Sequence, residues 1–481
     1  MQGNNFVIAG GGTAGWVTAA VLASMFTNKK ITLIENSKIG TIGVGESTTP
    51  AILDFLNMCS IDLLDFMTKT ESTIKTGIRF ENWTDKNSNY FHSFELVKKK
   101  EFLNSILGYD YLHDFVNEKH PYKYIEEQNL LPLDQTGNLL GTHALHINAH
   151  KFVDYLKNHL KGQVTVIDEK IINTAVSDNG INEIFFESGN KLSADVYFDC
   201  TGFNRVLHSR LGSNWKSCKD ILPVDRAIPC PIKWDTPMNT THASALSSGW
   251  VWQVPLQNRL GSGYVYSSEF AKNPEEEYAK FIKEKYNTTI DIERIIKFDS
   301  GYVKNPWVKN VVCIGLSSGF VEPLESTSIH MIYHQVLAFV QNYDGVCSNY
   351  MSKMYNNIMV DMYEDTVAFI KLHYLGNQGK NDFWDYMNQP NCERLNELLD
   401  LWKHHLPNAD HIGQNKNETP GYRLFAIAAW LQVMQGMKKI PKDNLTRYIA
   451  YNEIPRVDSY VRNLVSQESF VNNLRQVIAA K

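Results

Sequence analysis

The chain reads as an α/β protein: a doubly wound sheet of βαβ type, an additional β-sheet, and a mostly helical carboxy-terminal region. Three observations predict this. The β-branched run NFVIA ends in glycines at 10, 12 and 15 and gives way to a helix rich in Ala, Val and Leu. A second apolar run, KITLIEN at 30–36, ends in an acid. Between about Ile221 and Tyr266, alternating apolar residues mixed with Pro and Trp read as sheet, and after Ser326 the pattern becomes helical.

The first strand, glycine turn and helix open a βαβ unit, with residues 30–36 as its second strand. Residues 52–75 carry a helical pattern, and 76–97 an extended, aromatic one. A helix is expected over 150–161, then strands at VTVID, EIFFES, DVYFDCTGF and NVVCIGL. In GFVEPLESTSIH a helix is expected to begin near Ser326. The clearest later helical runs are 424–437 and 457–480. The predicted division is a module over 1–340, with the inserted sheet, and a mostly helical region over 341–481.

Composition excludes several functions. With 43% hydrophobic and 21% charged residues, and 481 residues in all, the chain is long enough for one large or two fused cores. A net charge of −5 and no basic stripe beyond Lys98-Lys99-Lys100 argue against nucleic acid. The seven cysteines lack metal or redox spacing and predict free thiols in a reducing compartment. His404, His405 and His411 lack partners at metal-ligand spacing, so no metal is expected. No signal peptide or bilayer-length apolar run appears, so a cytoplasmic protein off the membrane is predicted.

The Gly-x-Gly-x-x-Gly spacing has a physical reading. Gly10 permits the tight turn, Gly12 lets backbone approach a pyrophosphate, and Gly15 lets helix pack on strand. Thr13 and Ala14 sit at the helix start, where amides receive phosphate. Glu35 falls where it would accept ribose hydroxyls. The motif alone leaves FAD and NAD open. There is no second fingerprint, so one dinucleotide is expected. In GVGESTTP, Gly45, Glu46 and Ser47 suit a loop against a flat polar ring, and Ser47 or Thr48 could cap a helix with Pro50 in its first turn. At 322–328, two acids and small hydroxyl residues precede a helix. Unsatisfied amides there suit an anion.

Together these blocks resemble the flavin-dependent halogenases of the tryptophan-halogenase type, most closely up to about residue 340. The fingerprint, GVGESTTP, IKTGIRFENW, GWVWQVPL, LGSGYVYSSEF and GFVEPLEST stand in family order. The resemblance implies an FAD-binding Rossmann-like fold and a two-component enzyme. A separate NAD(P)H-dependent flavin reductase would supply FADH2, and dioxygen with chloride, bromide or iodide would yield hypohalous acid. Lys75 would direct the halogen. Glu325 would polarise the halogen donor or take the ring proton as general base, with Ser326 beside it. The amides of Thr327 and Ser328 would hold halide, Ser328 standing where Gly is common. Trp250, Trp252 and Pro255 would separate flavin from substrate, Glu322 would be structural, and His92 and Phe94 would line an aromatic-substrate pocket. No counterpart is found to the cluster that holds free tryptophan, so indoles, phenols or other heteroarenes are expected. A homo-oligomer is among the assemblies the sequence allows. Two other readings stand: a flavin monooxygenase on the same fold, and a non-catalytic flavin-binding protein.

Overall fold

The computed structural model of the protein describes residues 5–39, 46–85, 87–94, 121–136, 141–343, 345–376, 381–405, 407, 409–413, 423–439 and 464–479. Gly45 and the Lys98-Lys99-Lys100 run lie outside these residues.

Strand β1 (Asn5–Ala9) and strand β2 (Lys30–Glu35) flank helix α1 (Thr13–Met25). They sit inside a six-stranded sheet. Its order is Trp307–Val308, Val311–Cys313, Val196–Asp199, β1, β2, Thr165–Asp168. All neighbours are parallel except the Trp307–Val308 edge. β1 and β2 are buried almost throughout, as a parallel sheet covered on both faces requires. Val, Ile, Leu and Phe supply that burial, which is why these runs read as continuous apolar strands.

The turn after β1 shows why glycine stands there. Gly10 has φ +115°, and a Cβ would lie 2.3 Å from the Cys200 carbonyl oxygen. A Cβ on Gly15 would lie 1.8 Å from the Gly10 oxygen. Gly12 differs: its Cβ would meet nothing within 4 Å. Two glycines therefore serve the close approach of backbone, and the third leaves open space.

The additional sheet is confirmed. It runs Ile296–Lys297, Arg226–Pro229, Arg259–Tyr266, Gly249–Pro255, Thr241–Leu246, then β4 (Gly77–Glu81) and β5 (Asn89–Ser93), with Ile232–Lys233 also on Arg259–Tyr266. The helices Ser328–Asn342, Asn349–Leu372 and Ile427–Gly436 follow. Of the run 457–480, the helix spans Gln467–Ala479, after a short strand at Leu464–Ser466; 457–463 lie outside the described residues. The main hydrophobic core takes side chains from β1, α1, the Ser328–Asn342 helix and the Asn349–Leu372 helix alike. No helix among the described residues is long and apolar enough to cross a membrane.

Three local expectations are corrected. Residues 52–75 are not one helix. Helix α2 (Ala51–Met58) ends before Ser60, which has φ +54°, and helix α3 (Leu63–Thr70) is capped by Asp62 and closed by Glu71 in the left-handed region. The β-branched pair Thr73-Ile74 then enters strand β3 (Thr73–Lys75), antiparallel to Ala144–His146. The helix expected near Ser326 begins at Ser328 instead, because Ser326 has φ +60° and ends a 3-10 turn at Pro323–Glu325. Neither Ser47 nor Thr48 caps α2. Pro50 stands at that position, while the Thr48 hydroxyl donates to the Leu145 carbonyl at 2.7 Å.

These glycine contacts separate two variants. Gly15→Ala is expected to lower the thermal midpoint, by an overpacking cost of about 1–3 kcal/mol. Gly12→Ala should leave the midpoint unchanged and weaken FAD binding. Thermal melts paired with flavin titration check both; a Gly12→Ala protein with unchanged FAD affinity would contradict the reading of the open space.

Candidate active site

A cavity of about 1150 Å³ opens along the carboxyl ends of β1 and β2. Its lining includes Gly10, Gly12, Thr13, Ala14, Glu35 and Glu46. Trp250, Trp252, Ser47, Thr241, Ser326 and Ser328 line it as well. The size and the glycine-edged floor fit a flavin dinucleotide: open space lies over Gly12 and the amide end of α1 points into it. Glu35 pairs with Lys157 at 3.0 Å, and Glu46 pairs with Arg259. Gly15 is packed against Gly10 and is absent from the lining.

Trp250 and Trp252 share one face of a strand, as spacing two requires, with ring centroids 6.5 Å apart. The indole N–H of Trp250 donates to Glu322 Oε2 at 2.6 Å, and the Tyr374 hydroxyl donates to the same oxygen at 2.7 Å. Burial raises the Glu322 pKa to about 7 against these hydrogen bonds. Pro255 does not line the cavity. It ends the strand, and its carbonyl accepts from the Thr73 hydroxyl at 2.7 Å.

Lys75 and Glu325, 250 positions apart in sequence, come together behind Ser326. Lys75 is 0% exposed, and its Nζ donates to the Thr48 carbonyl and to Ser326 Oγ, both at 2.9 Å. Phe94 lies with its ring centroid 5.3 Å from that nitrogen. Burial brings the Lys75 pKa down to about 7, opposed by the Glu325 carboxylate. Glu325 is itself buried. Burial pushes its pKa up, but the imidazoles of His92 and His373 outweigh this and bring it down to about 2. His92 Nδ1 donates to both carboxylate oxygens at 2.8 and 2.9 Å. His373 Nε2 lies 2.9 Å from Oε1, too oblique for a hydrogen bond, and the Tyr90 hydroxyl contacts its Nδ1 at 2.6 Å.

Of the predicted halide residues, Ser328 reaches the cavity and opens the Ser328–Asn342 helix. Thr327 is fully buried, and its hydroxyl has no hydrogen-bond partner among the described residues. Lys75, Glu325, His92, Phe94 and Thr327 stand behind the cavity wall; Ser326 is the point of contact, facing the cavity while accepting from Lys75. Sequence reading missed His373, Tyr90, Thr48, Thr241 and His146. For His146 the signal is a polar residue inside an otherwise apolar run, ALHI; the others carry no such local signal. Among the described residues no cluster of three metal-ligand side chains occurs.

The fold and this cavity define a dinucleotide-dependent α/β enzyme, and comparison with known proteins resolves its family. Residues 5–451 match the model of the tryptophan halogenase family. The chain belongs to that family of flavin-dependent enzymes, which halogenate aromatic substrates. It is 30% identical to the 7-chloro-L-tryptophan 6-halogenase KtzR of Kutzneria sp. (strain 744), over 88% of this chain and 89% of that protein. It is 30% identical to the tryptophan 7-halogenase RebH of Lentzea aerocolonigenes, over 83% and 82% of the two chains. Among solved structures, the flavin-dependent halogenase BrvH of Brevundimonas sp. BAL3 superposes with a TM-score of 0.83 at 27% identity, covering 98% of this chain and 99% of that one. The tryptophan halogenase of Shewanella frigidimarina gives 0.87 at 25% identity, with 98% of each chain covered.

The buried amine has a stability signature. Its pKa falls from 10.5 to about 7 on folding, so between these values the unfolded chain binds more protons and stability rises with pH. Below about pH 7 the full cost of the buried charge is present. Comparing wild type with Lys75→Met in denaturant titrations, wild type should gain up to about 1.4 kcal/mol per pH unit across this window relative to the variant. Parallel pH profiles would show that Lys75 titrates normally.

Proposed function

We propose that the chain is an FADH2-dependent halogenase in which Lys75 delivers an electrophilic halogen to an electron-rich aromatic ring. The carrying observation is the buried Lys75 amine against Ser326, on the wall of the dinucleotide cavity and beside the ionised Glu325. FAD would lie on Gly10, Gly12, Thr13 and Ala14, with Glu35 toward its ribose and Glu46 and Ser47 toward its ring. Reduced FAD supplies the electrons with which dioxygen oxidises halide to hypohalous acid.

The protein's own part is separation, aim and proton transfer. Trp250 and Trp252 keep the organic ring from the flavin side. The amides of Thr327 and Ser328 attract halide at the positive end of their helix. Lys75 meets hypohalous acid either as an ammonium donating a hydrogen bond or as an amine accepting the halogen; a pKa near 7 keeps both forms populated at neutral pH. Glu325 takes the proton that the ring loses on rearomatising. The His92 and His373 contacts keep it ionised for that task. His92, on Glu325, and Phe94, beside the Lys75 amine, would favour a flat substrate ring there. Indoles, phenols and other heteroarenes are the proposed substrates, with FADH2 supplied by a separate NAD(P)H-dependent flavin reductase.

The test is a panel of indoles, phenols and other heteroarenes with FAD, a flavin reductase, NADH and each halide in parallel, read by mass spectrometry. Halogenated products are expected; oxygen insertion alone across the panel would replace this reading with a monooxygenase. Lys75→Ala should abolish halogenated product while reduced flavin is still consumed. Glu325→Gln should slow product formation on the order of 10²-fold; unchanged turnover would return Glu325 to a structural role.

A further inference from the structure

Lys75 does not end at Ser326. The Ser326 hydroxyl donates to Ser47 Oγ at 3.0 Å, and Ser47 Oγ lies 2.9 Å from Thr241 Oγ1. Thr241 Oγ1 lies 3.0 Å from His146 Nε2, and His146 Nδ1 lies 2.9 Å from Thr73 Oγ1. Each hydroxyl carries one hydrogen, so donors can be assigned along the chain. Thr73 spends its hydrogen on the Pro255 carbonyl. His146 Nδ1–H therefore donates to Thr73, and in the neutral ring Nε2 accepts. Thr241 then donates to Nε2, Ser47 to Thr241, Ser326 to Ser47, and Lys75 to Ser326. The four contacts from Lys75 to His146 Nε2 all point one way, from an amine to a base.

The fold holds this chain in place. Strand pairing sets Thr73 opposite His146, a backbone bridge sets Ser47 opposite His146, and Ser47, Thr241 and Ser326 edge the dinucleotide cavity. His146 and Thr73 are fully buried. Burial, and then the positive charge of Lys75, lowers the His146 pKa well below the usual imidazole value. The two ends therefore do not both carry charge at once.

We propose that Ser326, Ser47 and Thr241 form a proton relay between Lys75 and His146, with Thr241 and His146 as positioning residues that set the charge of Lys75 during turnover. The proposal rests on the lysine chemistry above. In the outward step Lys75–NH3⁺ gives a proton to Ser326. Each hydroxyl passes its own hydrogen on, and His146 Nε2 gains one, leaving a neutral amine. That amine takes the halogen from hypohalous acid and releases water. In the return step His146 sends the proton back as the N–halogen bond breaks. The departing nitrogen leaves as an amine, the ring takes the halogen, and the ring proton goes to Glu325. The halogen transfer requires that returning proton, since an amide anion is not a viable leaving group.

Thr241→Val removes the relay hydroxyl with little change in shape, and Thr241→Ser keeps it. The full-length variants, Lys75→Met and wild type are compared with saturating FAD and bromide, on the panel aromatic that wild type brominates fastest. Single-turnover rates are measured in H2O and D2O. Thr241→Val should lose roughly 10²-fold in bromination and lose the solvent isotope effect, and Thr241→Ser should recover most of both. A wild-type rate in Thr241→Val with Lys75→Met inactive would overturn the relay and leave the lysine reading standing. A slow Thr241→Val that keeps the isotope effect, or a Thr241→Ser equally slow, would make the hydroxyl mere packing and also overturn it. A Lys75→Met that brominates at the wild-type rate would overturn both. Should Thr241→Val fail to fold, histidine nitrogen NMR of ¹⁵N-labelled wild type decides: a protonated Nε2 on neutral His146 would overturn the assignment.

Discussion

The Lys75 amine has two fixed partners, the Thr48 carbonyl and the Ser326 hydroxyl, and no access to water. Three distant segments must converge for that to happen: the loop before α2, the strand β3, and the turn before the Ser328–Asn342 helix. An ammonium taken into a dry interior is costly unless hydrogen-bonded, so the convergence must be accurate. Burial lowers the amine's proton affinity, and the Ser326 contact joins it to the cavity wall. Fold and charge state thus meet at one nitrogen.

The two acids of the GFVEPLEST segment are separated by what faces them. Glu322 meets an indole N–H and a phenol, both neutral donors, and burial keeps its pKa high. Glu325 meets two imidazoles, which can carry charge, and its pKa falls. His373 and Tyr374, adjacent at the end of the Asn349–Leu372 helix, reach one acid each. A helix from the carboxy-terminal half therefore sets the contrast between two carboxylates three residues apart.

Much of this was legible in the chain itself. The glycine spacing, the acid ending β2 and the alternating tryptophans carry local rules, and local rules survive without coordinates. Lys75 and Glu325 were legible only through the resemblance of whole blocks, because a lone lysine in TIK or a lone acid before a helix has no distinctive pattern. The strand at β3 was hidden by the apolar spacing of the preceding helices, and Glu71 in the left-handed region is what separates them. His146, Thr241 and His373 stayed unread because their meaning lies in pairing across strands and helices far apart in sequence. The placement of Pro255 was misjudged for a related reason: strand alternation gives a face, and it does not tell where the cavity stops.

Ser326 sits in the left-handed region with a side chain that must be a hydroxyl. A β-branched residue is penalised at such a φ, so threonine, the obvious substitute for the oxygen, is poorly tolerated there. Glycine would relax the backbone but abolish the link to the amine; asparagine would tolerate the angle but bring a bulkier amide. Few residues therefore satisfy both the backbone angle and the link to the amine at this position.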